Sequence, residues 1–255
     1  MGEQNCVSRS YIPAEQMYDK GIELFENENQ SSGFESTTDI GKLYADLGDL
    51  NYFISGQMDA SLYNYKKSIE NKNDTPSIRY RVGYIQYTNK NYAEALGSFI
   101  VSSESKSDDT HLLLALANTL SLRNDNYTAE GYYEKLLAIL DKERELHGVL
   151  LPQVREDQAD LVDTYMRAAN NLGVTLNRIA LQTGNSKMNA EAIVQLSESL
   201  RAWDALTRNQ KTMERLKSAN LPQENIKYID HPLSSYTPEI FTEIPRLLNG
   251  EKGFE

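Results

Sequence analysis

The chain has 255 residues, with 37 Asp and Glu against 26 Lys and Arg, which gives a formal net charge of −11 at pH 7. That acidic balance argues against nucleic acid and anionic membrane surfaces as partners, because both repel a negatively charged protein. No apolar run reaches the ~18 residues of a transmembrane helix, so membrane insertion is not expected. Cys6 is the only cysteine, which excludes an intrachain disulfide and a structural zinc site.

The first predicted element is a helix over 13–28. Ala14, Tyr18 and Gly21 lie at i, i+4 and i+7 and therefore share one helix face. We expect residues 1–38 to comprise a polar tail, this helix and a flexible connection. Two interpretations of the helix stay open. It caps the elements that follow, or it is the second half of a repeat whose first half belongs to a longer protein upstream.

Small and aromatic residues then recur with a period of 34 residues. Three registers carry the period: Ser61, Ala95 and Ala129; Tyr65, Phe99 and Tyr133; Asp49, Gly83 and Ala117. A fixed period in this range is typical of stacked helical hairpins, in which a small residue lets two helices approach and an aromatic ring fills the neighbouring space. An irregular helical bundle with chance spacing is the alternative, and three aligned registers argue against it.

The pattern resembles the tetratricopeptide repeat (TPR) family, whose motif has Leu-Gly in its first helix and Tyr, Ala, Phe and Ala in its second. Residues 77–110 match the motif best, and residues 43–76 and 111–144 match it in part. None of the three carries the family's tryptophan or its closing proline in place. The resemblance implies an all-α solenoid of helical hairpins with three repeats over 39–146.

The remainder of the chain departs from the period. Residues 147–218 predict a divergent fourth hairpin, with a long helix over 153–183 that breaks at Gly184. Residues 219–255 hold four of the seven prolines, which predicts an extended C-terminal strap with one short helix beginning at Thr237-Pro238. Its many apolar residues favour a strap that lies along the solenoid or docks on another chain.

No arrangement of residues typical of an enzyme occurs in the sequence. His111, His147 and His231 lack the spacing that places two imidazoles on one helix face. There is no glycine-rich phosphate loop, no nucleophile elbow and no matched cysteine–histidine pair. We therefore predict a protein that is not an enzyme and that has no cofactor and no metal site.

In the TPR family, ligands commonly occupy a concave groove formed by the first helix of each repeat. Carried onto this sequence, the resemblance implies a groove lined by Leu43, Asp46, Leu50, Phe53, Tyr80, Tyr84, Tyr87, His111, Leu114 and Asn118. The three tyrosines share one helix face and suit a binding surface, although the rings could instead only pack between repeats.

A C-terminal carboxylate is not the expected ligand of this groove. Asp46 and His111 stand where a carboxylate-clamping subset of the family has lysine. The expected partners are other proteins, which would present an amphipathic helix or an extended peptide.

These features together predict a non-catalytic scaffold that assembles a multiprotein complex through the groove and the C-terminal strap. Taken whole, the chain also resembles the TPR scaffold proteins of the spirochaetal periplasmic flagellar collar, which implies a periplasmic location. The alternative is a soluble peptide-binding co-chaperone or substrate adaptor, for which a cytoplasmic location is expected. A scaffold subunit should self-associate or need its neighbours, whereas an adaptor should be a stable monomer.

Overall fold

The structure, a computed structural model, describes residues 2–32, 38–105, 107–151, 153–208, 213, 220–230 and 237–246. The chain divides into two compact units, Met1–Lys106 with Arg246–Glu255 and Ser107–Pro245. Over the described ranges there are ten α-helices and no strand, so the predicted all-α class is confirmed. The helices are α1 (Gly2–Ser32), α2 (Thr38–Asp49), α3 (Met58–Glu70), α4 (Pro76–Thr88), α5 (Tyr92–Ser103), α6 (Thr110–Leu122), α7 (Asn126–Leu146), α8 (Ala159–Thr183), α9 (Ser186–Thr207) and α10 (Leu221–Asp230).

In the first unit, successive helices pack as antiparallel hairpins, α2 with α3 and α4 with α5. A π-helix, Leu50–Ser55, continues α2. Each hairpin closes where a glycine faces an aromatic ring. A Cβ atom added to Gly83 would lie 2.6 Å from the Phe99 ring, and one added to Gly48 would lie 2.7 Å from the Tyr65 ring. Both rings are fully buried, so close approach of the helices is the physical basis of the 34-residue period.

The second unit pairs α6 with α7 and α8 with α9, and packs α10 against α8 and α9. Gly173 of α8 approaches Leu196 of α9 in the same manner, with 2.7 Å from an added Cβ to the leucine Cγ. Gly184 ends α8 in the left-handed conformation, with φ +69°, where a residue other than glycine is strained. The Asn185 side chain then accepts hydrogen bonds from the first amides of α9 and caps it.

The N-terminal helix is longer than predicted. The expected helix over 13–28 is part of α1, which begins at Gly2 and passes through Pro13. A proline inside a helix removes one main-chain hydrogen bond, which is why the sequence indicated a start there, and α1 continues regardless. Its Ile22 packs with Ile40 and Leu47 of α2.

The C-terminal strap also differs from the prediction. The short helix expected from Thr237-Pro238 is wrong, since residues 237–246 contain no helix. Helical structure lies instead at α10, with Pro222 in its first turn, where the missing amide has no helical partner to lose. Residues 33–37, 209–212, 214–219, 231–236 and 247–255, which the predicted connection, fourth hairpin and strap include, lie outside the described residues. Within the described part of the chain, none of the helices combines the length and apolarity needed to cross a bilayer.

Candidate functional site

The second unit holds a stretch of extended chain, residues 237–245, here called the clamped segment. Proline fixes φ near −65° and disfavours helix in the residue before it, so Pro238 and Pro245 keep both ends of this segment extended. Pro238, Ile240, Phe241 and Ile244 are buried, whereas Glu239, Thr242 and Glu243 are exposed. The segment is therefore anchored by few side chains, and the unit must bind the rest of it through its main chain.

Asn171 of α8 pairs with both main-chain polar groups of Phe241. The Phe241 amide donates to Asn171 Oδ1 at 2.7 Å, and Asn171 Nδ2 donates to the Phe241 carbonyl oxygen at 2.9 Å. Asn118 Nδ2 of α6 donates to the same carbonyl oxygen at 3.0 Å. A side-chain amide that binds the N–H and the C=O of one residue reproduces the pairing of a neighbouring β-strand.

A second such pair holds Glu239, two residues earlier. The Glu239 amide donates to Asn225 Oδ1 of α10 at 3.0 Å, and Asn225 Nδ2 donates back to the Glu239 carbonyl oxygen at 2.9 Å. Asn170 Nδ2 adds a third bond to that carbonyl at 3.2 Å. In an extended chain, alternate residues present their main-chain groups to the same side, so contacts at 239 and 241 select an extended conformation.

The four asparagines Asn118, Asn170, Asn171 and Asn225, here called the asparagine clamp, also hold one another in place. Asn118 Oδ1 accepts from Tyr133 Oη at 2.7 Å and from Asn171 Nδ2 at 2.8 Å. Asn225 Nδ2 donates to Asn170 Oδ1 at 2.9 Å. All four side chains are fully buried and hydrogen-bonded. A connected buried network of this kind fixes the orientation of each amide before a ligand arrives.

Side-chain contacts add selectivity beside the clamp. The Arg167 guanidinium lies over the Phe241 ring at 5.2 Å. It also pairs with Asp163 at 2.7 Å and with Glu243 of the clamped segment at 3.0 Å. Burial raises the pKa of the Asp163 carboxyl, and the Arg167 charge partly opposes that rise. Arg167 thus contacts an aromatic ring and an acid that lie two residues apart on the bound chain.

Ile240 enters an apolar pocket of the second unit. It packs with Val174 of α8 and Leu196 of α9 in one buried cluster. Leu122, Ile226 and Ile229 border that cluster. The pocket therefore receives one aliphatic side chain between the two main-chain contacts.

The first unit contains an aromatic surface that binds a cation from its own chain. Arg246 lies over the Tyr52 ring at 4.4 Å and donates to the Tyr52 carbonyl oxygen. Phe53 and Tyr84 pack edge-on against Tyr52, with centroid distances of 4.8 and 5.9 Å. Stacking of a guanidinium on aromatic faces is a favourable cation–π contact. Burial raises the pKa of Tyr52, and the Arg246 charge lowers it in part.

A buried ion pair lies beside this surface. Arg81 pairs with Asp49 at 2.8 Å and lies over Phe53 at 5.0 Å. The Tyr65 hydroxyl donates to the same Asp49 carboxylate at 2.6 Å. Burial raises the pKa of Asp49, and both partners oppose the rise. This pair orders the surface and contacts nothing chemically reactive among the described residues, which contain no cluster of three metal-ligating side chains.

The predicted groove residues fall in both units. In the first unit, Leu50, Tyr80 and Tyr87 are buried, Leu43, Phe53 and Tyr84 are half-buried, and Asp46 is exposed. Tyr80 packs its ring 5.4 Å from that of Phe99, between the helices of its own hairpin. The three tyrosines therefore do not form one exposed stripe. Of the predicted set, Phe53 and Tyr84 contribute to the surface that binds Arg246.

In the second unit, the prediction included one residue of the asparagine clamp. His111 is half-buried, Leu114 is buried, and Asn118 binds the clamped segment. Sequence reasoning missed Asn170, Asn171 and Asn225. The available signal was the Asn170-Asn171 pair inside an otherwise apolar stretch of helix, because amides buried there require hydrogen-bond partners from elsewhere.

Comparison with known proteins adds little. No family model matches the chain, and no curated protein matches it. Among solved structures, it is similar to BtubC (BKLC) from P. vanneervenii, with 12% sequence identity and a TM-score of 0.40 over 94% of this chain and 98% of that chain. A likeness at that level supports no statement about fold or function.

Proposed function

We propose that this chain is a non-catalytic protein-interaction scaffold that assembles a multiprotein complex by holding extended polypeptide segments. One observation supports the proposal above the others. The second unit devotes four fully buried asparagines to the main chain of an extended segment. Such bonds are a recurring means by which proteins bind extended peptides, with neighbouring pockets that supply specificity.

The chemistry of the clamp favours binding over catalysis. Every polar group in it is an amide, a hydroxyl or a main-chain group, and none of these is activated as a nucleophile or a general base. Buried and preorganised donors lose little conformational freedom when a peptide binds, so they increase affinity. The arrangement therefore suits a protein that holds another chain.

The finer assignments come from the sequence resemblance alone. They are the TPR repeat type and the flagellar-collar setting, which would place the scaffold in a large periplasmic assembly. Within this proposal, the half-buried Phe53 and Tyr84 of the first unit offer a second contact surface for partners. Aromatic side chains of this kind are enriched at protein interfaces.

The test is quantitative affinity capture with cross-linking, from cells of the species that encodes the chain. An Asn171→Leu variant removes the amide and keeps a side chain of similar size. Gln182→Ala is the matched control, because Gln182 is an exposed amide on the same helix. Circular dichroism would establish that both variants keep their helical content.

A scaffold that works through the clamp should lose its partners in the Asn171→Leu variant and keep them in the control. Full retention of partners by Asn171→Leu, or no partner above background with the wild-type chain, would contradict the proposal. Size-exclusion chromatography with light scattering then separates the two classes of binder. A scaffold elutes in a stoichiometric complex, whereas an adaptor elutes as a monomer that has released its ligand.

A further inference from the structure

The asparagine clamp specifies its ligand more closely than a general peptide site would. Bonds to the main chain at 239 and 241 require an extended backbone and no particular side chain. The selection of sequence therefore depends on three side chains: Ile240 in its apolar pocket, Phe241 beneath Arg167, and Glu243 paired with Arg167. An aliphatic residue, an aromatic residue and then an acid two positions later satisfy all three contacts.

We propose that the asparagine clamp is a regulated binding site for a partner's extended segment of the form aliphatic–aromatic–any–acidic, and that residues 237–245 are its built-in competitor. The inference rests on the proposed function and extends it, because it names the ligand class and the step that controls access. Arg167 is the specificity-determining residue, since it alone contacts both the aromatic ring and the acid.

The competitor has an advantage that a partner must overcome. A tethered segment acts at an effective concentration on the order of millimolar. A free peptide whose intrinsic Kd is about 10 μM would therefore bind the closed chain on the order of 100-fold more weakly than the open one. Exposure of Glu239, Thr242 and Glu243 leaves one side of the bound segment open, where an incoming chain can begin to exchange.

The experiment uses the full chain and a fluorescein-labelled peptide with the sequence of residues 237–246, Thr-Pro-Glu-Ile-Phe-Thr-Glu-Ile-Pro-Arg. Binding is followed by fluorescence anisotropy. A Phe241→Ala chain has a weakened competitor, whereas Thr237→Ala changes an exposed residue at the start of the same segment and is the matched control. If Phe241→Ala loses helical content, Glu239→Pro replaces it, because that change removes only the amide that donates to Asn225.

The peptide should bind the weakened chain at least ~10-fold more tightly than the wild-type chain or the Thr237→Ala chain. Changing the peptide's Phe to Ala, or its Glu at position 243 to Lys, should remove most of that binding. An Arg167→Gln change in the weakened chain should abolish the preference for Glu over Lys at that peptide position. Equal binding of the peptide to all chains, or no binding to a folded weakened chain, would overturn the inference.

A second copy of the chain is the other conceivable source of a matching segment. If wild-type protein forms a concentration-dependent dimer that Phe241→Ala abolishes, exchange between copies replaces displacement by a partner and the inference fails. The two proposals fail separately. Loss of cellular partners in Asn171→Leu without any peptide binding would leave the scaffold function standing, and peptide binding without any cellular partner would leave only the site.

Discussion

The two units of this protein are stabilised by different means. The hairpins of the first unit close through shape, where a glycine meets an aromatic ring, as with Gly83 and Phe99. The second unit has one such contact, at Gly173, and adds a buried polar network that grips an extended segment. Shape complementarity tolerates any apolar side chain of the right volume, whereas a hydrogen-bond network tolerates almost no substitution.

The difference teaches where specificity lies in the chain. A buried amide without its partner is costly, so the asparagine clamp is stable only when an extended chain fills it. The hairpins of the first unit carry no such requirement. We therefore expect the second unit to respond to occupancy and the first unit to respond mainly to packing, and each prediction below separates these responses.

The largest effect is expected from Phe241→Ala. Phe241 is 1% exposed, and truncation of a buried phenylalanine typically lowers the free energy of unfolding by about 3–5 kcal/mol. Trp203 is the only tryptophan and lies in α9, so its fluorescence in a urea titration reports the second unit. Glu243→Gln is the control, because it removes only an exposed ion pair worth less than about 1 kcal/mol. Equal midpoints for the two variants would show that the segment is not packed as described.

Asn171→Leu should have the next largest effect on the second unit. The change leaves the Phe241 amide unpaired in a buried position, which costs about 1–3 kcal/mol. The same urea titration measures it. Gln182→Ala should leave the midpoint within about 0.5 kcal/mol of the wild-type value, since it lies on the exposed part of the same helix. An Asn171→Leu chain as stable as the control would mean that the network contributes nothing.

Gly83→Ala tests packing in the first unit. The added methyl group would lie 2.6 Å from the Phe99 ring, and overpacking of about 1–3 kcal/mol exceeds the gain of about 1 kcal/mol from better helix propensity. We expect a net loss of about 1 kcal/mol, measured by thermal denaturation followed by circular dichroism. Gly97→Ala is the control on α5, where an added Cβ meets nothing within 4 Å, and it should stabilise by about 0.5–1 kcal/mol. A stabilising Gly83→Ala would refute the packing argument.

The smallest effect concerns pH and Asp163. Burial raises the pKa of this carboxyl, and the negative charges of Asp160 and Glu243 add to the rise, so the folded state holds the proton more tightly than the unfolded state. Its contribution to stability is therefore present below about pH 4 and is lost as pH rises through the raised pKa. Asp163→Asn lacks this loss. The stability of the variant minus that of the wild type should increase with pH from about 4 upwards in urea titrations, and a constant or falling difference would contradict the assignment.

The sequence predicted the hairpins because their signal is local. Gly83 and Phe99 are sixteen residues apart, and the 34-residue period repeats that relation along the chain. It could not separate the two neighbours of a helix face. Tyr80 has the same spacing whether its ring lines a groove or packs against Phe99, and the structure places it in the hairpin.

The asparagine clamp could not be predicted for a different reason. Asn118 and Phe241 are 123 residues apart, and no period relates them. Asparagine also favours turns and caps over helix interiors, so its usual preference misrepresents Asn170 and Asn171. The prolines did predict extended chain at 237–246, whereas the same reasoning failed at α10, because a proline in the first turn of a helix is tolerated.

The most direct measurement is the affinity of two N-methylated versions of the 237–246 peptide for the Phe241→Ala chain, or for Glu239→Pro if Phe241→Ala loses helical content. Methylation at the position of Phe241 removes the amide that donates to Asn171 Oδ1 and keeps the aromatic side chain. Methylation at Ile240 is the matched control, because the bonds of Asn118 and Asn171 go to residue 241. A clamp that binds the main chain predicts a loss of about tenfold or more for the first peptide and a much smaller loss for the second. Equal affinities would contradict it and would assign binding to the side-chain pockets alone.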